Sequence, residues 1–255
     1  MADYENNIVR GAGVAAGTYD AGLRAYMLRV YNYMLAGLAA TGLASYATYL
    51  AAVTDNPAAA AAHLPNGIML TNFGTMLFGP LMWVFIIGSF GLVMFLSFRI
   101  QKMSVSTART SFLVYAGLIG VTFASLFLVF TQTSIATVFF ITAATFGAMS
   151  LYGYTTQRDL SGFGSFLFMG LIGIIIASVV NIFVGSTMLQ WVVSVAGVLI
   201  FTGLTAYDTQ WIKNSYVASD DGTVTGRKAI FGALKLYLDF INLFVMLLQL
   251  LGNRR

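Results

Sequence analysis

Residues 162–185 read GFGSFLFMGLIGIIIASVVNIFVG, an apolar run without one charged side chain. About 20 such residues wound into a helix cross the ~30 Å hydrocarbon core of a bilayer. In lipid the backbone must satisfy its own hydrogen bonds, which leaves helices and closed barrels as spanning structures. Barrel strands are segments of about ten residues with alternating polarity, and nothing in 162–185 alternates. Working outward, runs of the same kind lie near 30–53, 75–98, 108–130, 134–154, 188–212 and 236–251. The expected fold is therefore all-α and integral to the membrane, with seven transmembrane helices. Composition agrees: 9% of residues are charged and 58% hydrophobic, where a soluble domain carries roughly 25% charged residues. Residues 1–28 are expected to form a polar cytoplasmic N-terminal segment and 29–255 a single membrane domain. The first 28 residues lack the apolar core of a cleavable signal peptide, so span one is expected to direct insertion. The last run offers only about 16 residues beyond Lys235, or ~24 Å of helix; a short, re-entrant or wrapped segment is expected there.

Sidedness follows from Lys and Arg. Arg10, Arg24 and Arg29 precede the first run, Arg99, Lys102 and Arg109 flank the second connection, Arg158 sits in the fourth, and Lys213, Arg227, Lys228 and Lys235 flank the sixth. The odd connections carry none. The positive-inside rule then puts the N-terminus and the even connections in the cytoplasm. The net charge of +4 reflects that sidedness and gives no sign of a nucleic-acid partner. Only Arg254 and Arg255 fall on the outer side if the last run crosses.

With no cysteine and one histidine, His63, the chain has neither a thiolate nucleophile nor a histidine cluster for a metal. Chemistry must come from polar groups that the bilayer penalises. An Asp at the centre of a span costs roughly 2.5–3.5 kcal/mol on insertion scales, and Asp208 and Asp239 are the acids set inside the runs. Asp208 lies about four residues from the cytoplasmic end of the sixth run, Asp239 about one turn into the seventh, so both carboxylates can sit at similar depth. Lys235, Asp239, Asn242, Met246 and Gln249 recur at i, i+4, i+7, i+11 and i+14, one face of a helix. Such a stripe faces protein or water rather than lipid, making Asn242 and Gln249 candidates to line a pore. Two carboxylates within hydrogen-bonding distance cannot both ionise cheaply; they share a proton and titrate in coupled steps, the physics of a pH switch. A cation is needed when both are ionised, and Arg99, in SFRIQK at 97–102, is the best placed. Other readings stand beside these: Asp239 paired with Lys235, Asp208 as an interfacial carboxylate, Arg99 as a snorkelling anchor. Trp83, Trp191 and Trp211 read as interfacial anchors. Asp220 and Asp221 lack the ligand spacing of a calcium loop and read as a solvated turn.

Four motifs carry a resemblance: GPL at 79–81, SLYGYTTQRDLS at 150–161, FTGLTAYDTQ at 201–210 and LYLDFINLF at 236–244. From about residue 25 to its end the chain resembles the bacterial Bax inhibitor-1-like family, the transmembrane Bax inhibitor motif proteins. The resemblance implies seven helices with the last enclosed by the other six, in the bacterial inner membrane. It also implies a pH-sensitive calcium leak gated by an aspartate pair at Asp208 and Asp239, with Arg99 as latch. No cofactor is expected; calcium would be the transported ion, held weakly at the two carboxylates, since it takes 6–8 oxygen ligands and the spans offer few. A leak needs a site that releases its ion as readily as it accepts it. An enzyme is not expected. Tyr207–Asp208 matches the first motif of intramembrane aspartyl proteases, but their second, Gly-x-Gly-Asp, is absent at Asp239. The alternative is a non-conducting regulator that binds and restrains a membrane-bound ATP-dependent protease. SFLVYAGLIG at 111–120 and SFLFMGLIG at 165–173 suggest two three-helix halves followed by a seventh helix.

Overall fold

The computed structural model describes the backbone of residues 2–255 and the side chains of residues 21–255; most of the polar N-terminal segment expected at 1–28 lies outside the described side chains. Seven helices long and apolar enough to cross a membrane follow one another: span one at Ala21–Ala52, two at Asn72–Lys102, three at Val105–Val129, four at Gln132–Thr155, five at Ser161–Val184, six at Thr187–Asn214 and seven at Gly222–Leu251. The protein is an all-α, seven-span integral membrane protein. Packing already includes Leu23, Tyr26 and Met27, which are buried in the core ahead of residue 29.

The seventh span corrects the expectation of a short segment after Lys235. It is a 30-residue helix from Gly222, ~45 Å at 1.5 Å per residue and long enough to traverse. Asp221 caps it, accepting from the Val224 N–H at 2.7 Å. The charges that interrupt its apolar pattern are each given a partner by tertiary structure: Arg227 donates to the Gln101 carbonyl, Lys228 to Asp220 and the Ser215 carbonyl, Lys235 to Asp208. At the far end the tail is tied to the connection between spans three and four. Thr131 donates to the Asn253 carbonyl, Asn253 to Ser134 Oγ at 2.8 Å, and Arg255 to the Val129 carbonyl. That connection is in turn reached from the first one, where Asn66 donates to the Leu128 carbonyl at 2.8 Å. The first connection carries a small antiparallel sheet in the order β1 (Val53–Thr54), β3 (Met69–Leu70), β2 (Ala62–His63). His63 is exposed there.

The helices fall into two groups about span seven. Spans one and two each pack on span three, spans four and five each pack on span six, and span seven lies against one, three, four and six. Small residues allow the closest approaches: a methyl group at Gly153 of span four would strike the Ala206 carbonyl of span six, and one at Gly120 of span three the Thr41 carbonyl of span one. Span two enters the bundle through a π-turn at Leu77–Leu81 containing Gly79 and Pro80, because proline cannot donate to the helical ladder. Its last turn, Ile100–Lys102, touches span seven. Spans two and five form the outer walls, presenting Ile87, Phe98 and Phe183 outward, as helices facing lipid do. Span seven is the most deeply buried of the seven.

Candidate functional site

Asp208 and Asp239 are both buried, at 6% and 5% exposure, and their carboxyl groups lie within mutual hydrogen-bonding reach. The cation beside them is Lys235. Its Nζ donates to Asp208 Oδ1 at 2.7 Å and lies 5.0 Å from the centre of the Trp211 ring, a cation–π seat. One helical turn separates Lys235 from Asp239, so span seven presents a cation and a carboxyl on the same face, and span six inserts Asp208 between them. Asp239 Oδ2 is buried with no hydrogen-bond partner. An acceptor in that state costs free energy until a proton, a water or a cation reaches it.

These groups form the floor of a cavity of about 1100 Å³ between spans two and five, walled by Phe90, Val93 and Met94 on one side and Phe168 and Leu171 on the other. Lys235, Asp239, Asn242 and Met246 all line it. Asn242 donates one amide N–H to the Leu238 carbonyl of its own helix at 2.8 Å, which leaves its carbonyl oxygen and second N–H to offer. Gln249, three residues past Met246, accepts from Ser194 Oγ of span six at 2.8 Å and lines a second, smaller cavity. The stripe is therefore one cavity-facing surface.

Arg99 is not brought to the pair. It stands exposed at the end of span two, and the ion pairs among the described residues are Lys235–Asp208 and Lys228–Asp220. Geometry explains the exchange: Lys235 rides the same helix as Asp239, whereas Arg99 is carried by an outer wall. Of the metal-binding expectation, the structure brings together Asp208 and Asp239 with Asn242 nearby. Among the described residues no group of three or more acidic or histidine side chains converges, so a calcium ion there would draw most of its 6–8 oxygens from water and carbonyls.

The comparisons with known proteins agree with the motifs. The family described as "Inhibitor of apoptosis-promoting Bax1" matches residues 23–255. This chain belongs to that family. It is 48% identical over 238 residues to the inner membrane protein YbhL of Escherichia coli K12, covering 92% of this chain and 94% of YbhL. It is also 46% identical to the protein RP147 of Rickettsia prowazekii, covering 93% of each, and 40% identical to a protein of Caulobacter vibrioides over the full length of both. The family assignment rests on nearly the whole chain, including both aspartate-bearing spans.

Around the pair, this family member holds its helices with polar contacts that the sequence reading did not single out. Gln210, two residues past Asp208, clamps the fourth connection: its Oε1 accepts from the Leu160 N–H at 2.9 Å and its Nε2 donates to the Arg158 carbonyl at 2.8 Å. Tyr237 is fully buried, its hydroxyl 2.7 Å from Thr41 Oγ1 of span one. Ser150 of span four bridges Tyr31 of span one at 2.6 Å and Thr209 of span six at 3.0 Å. The available signal was a polar side chain beside each motif aspartate, since hydroxyls and amides inside spans join helices. Trp211, expected as an interfacial anchor, also seats Lys235 and meets the Phe231 ring edge-on. Within the turn at Asp220 and Asp221, Asp220 pairs with Lys228 and Asp221 caps span seven.

Proposed function

We propose that this protein is a proton-sensitive calcium leak of the inner membrane, gated by Asp208 and Asp239 with Lys235 as the latch in place of Arg99. The observation that carries the reading is the buried carboxyl pair with a single lysine on the floor of a large cavity. With one proton on the pair the three-group cluster is neutral; with none it carries one net negative charge, which a cation in the cavity offsets. Lys235 bound to Asp208 draws spans six and seven together through a charge-assisted hydrogen bond. Protonating Asp208 removes that attraction, so acidification loosens the contact and opens the pathway. The positive-inside rule supports a cytoplasmic N-terminus, and on that orientation the pair lies nearer the cytoplasmic end of span six.

The test is calcium flux from sealed liposomes containing the purified protein, read across pH 5 to 8. Flux should rise as pH falls, and Asp208→Asn and Asp239→Asn should each flatten the curve while the protein stays folded, because Asn keeps the size and removes the titration. Identical flux-versus-pH curves for wild type and both variants would remove the pair from the mechanism. No flux at any pH from correctly inserted protein would overturn the leak in favour of the non-conducting regulator of a membrane-bound protease.

A further inference from the structure

The second cavity, about 360 Å³, lies at the end of the bundle where spans five and six meet, lined by Asn181, Gly185, Ser186, Gln190 and Gln249. Neutral amides and hydroxyls share its walls with Ile182, Val193 and Met246, a more polar lining than that of the larger cavity. At about 30 Å³ per water it has room for on the order of ten. Ser178, Ile182 and Met246 line both cavities, so the two are separated by little more than these three side chains. In the span-seven stripe, Met246 stands between Asn242 on the Asp239 side and Gln249 on the other. It is the apolar member of an otherwise polar or charged row. Its side chain lies flat on Gly197 of span six: a methyl group at Gly197 would come within 2.8 Å of Met246 Cγ and 2.9 Å of Sδ. Glycine there gives the thioether a seat against backbone, which positions it across the junction.

We propose that the smaller cavity is a water-filled outer vestibule for a hydrated cation, and that Met246 is the apolar plug separating it from Asp239. An apolar constriction between wet compartments blocks ions by excluding water, and methionine, unbranched and flexible, can swing aside without repacking its helix. The larger cavity opens between spans two and five, and the plug decides whether it communicates with the face bearing Gly185 and the C-terminus. The proposal deepens the leak reading and rests on it for the identity of the ion, but its test does not use flux.

The chain contains no cysteine, so single cysteines report cleanly. In proteoliposomes, a membrane-impermeant methanethiosulfonate reagent applied to the Gly185 face should label Asn181→Cys. The same reagent should leave Asn242→Cys unmodified while Met246 is present. Combining Asn242→Cys with Met246→Ala should raise its labelling rate by about tenfold or more, as a dewetted barrier is lost; Met246→Leu should keep the protection. Asn181→Cys in the Met246→Ala background reports that the vestibule remains folded. Equal labelling of Asn242→Cys with and without Met246, or no labelling of Asn181→Cys from that face, overturns the proposal. The expected labelling pattern with no calcium flux overturns the leak and leaves the plug standing.

Discussion

By sequence Lys235 falls near the cytoplasmic end of its span, within reach of Asp239; in the structure it lies mid-helix and binds Asp208 of the neighbouring span. Removing half-buried Lys235 leaves the buried Asp208 carboxylate uncompensated, at a cost below the about 3–5 kcal/mol of a fully buried pair. Lys235→Met should therefore lower the melting temperature and raise calcium flux at neutral pH. Adding Asp208→Asn to Lys235→Met should recover much of the lost stability, because the carboxylate that Lys235 had paired is then gone. A double variant no more stable than Lys235→Met alone would place the worth of Lys235 elsewhere, in its contact with Trp211. Gln210→Ala should cost about 1–3 kcal/mol, measured by thermal unfolding in detergent, since it leaves the buried Leu160 N–H unpaired. On the fourth connection, hydrogen bonds from Ser161 hold the exposed Asp159 carboxyl below its usual range. The stabilisation this gives is present above the unfolded-state value and lost as pH falls through the folded one. Asp159→Asn should lower stability slightly at neutral pH and remove that part of the acid response, so that the two proteins converge as pH falls.

At the scale of elements, the two groups of three helices hold together through backbone approaches that only small residues permit. Gly153→Val would drive a branched side chain into the Ala206 carbonyl and push span four off span six. Overpacking of this kind costs about 1–3 kcal/mol, and here it also strains the contact from Ser150 to Thr209. Reduced thermal stability, with Gly147→Val as a control at a glycine that has open space, measures it. Equal loss in the two variants would show that helix propensity rather than packing sets the penalty. The apparent repeat between residues 111–120 and 165–173 maps onto spans three and five, which do not hold equivalent positions: span three is the shared neighbour in its group, span five an outer wall of the other. The division into two three-helix groups around a seventh stands on packing, not on that similarity.

For the whole molecule, the tie between the C-terminal tail and the connection after span three puts the C-terminus on the side opposite the basic connections. Cysteines at Ser219 and Asn66 should accordingly be labelled from opposite sides of the membrane by an impermeant reagent, Ser219→Cys from the cytoplasmic side. Labelling of both from one side would contradict the seven-span topology, and labelling of Ser219→Cys from outside would reverse its orientation. The two cavities and the stripe between them run along the length of span seven, so a change at either end of that helix bears on the pathway proposed here.

The class of fold, the number of spans and the two aspartates could all be read from the chain, because an apolar run long enough to cross lipid has no other stable home and an acid inside one is conspicuous. The start of span seven could not. Arg227, Lys228 and Lys235 interrupt its apolar pattern, and only the packed structure supplies Gln101, Asp220 and Asp208 as their partners. For the same reason the sequence pointed to Arg99 as the cation: hydropathy and sidedness rank residues by depth along the membrane normal, and they carry no information about which helices are neighbours. That Lys235 reaches Asp208, that Met246 rests on Gly197, and that a cavity opens between spans two and five were decided by tertiary packing alone, since each depends on contacts between residues far apart in the chain.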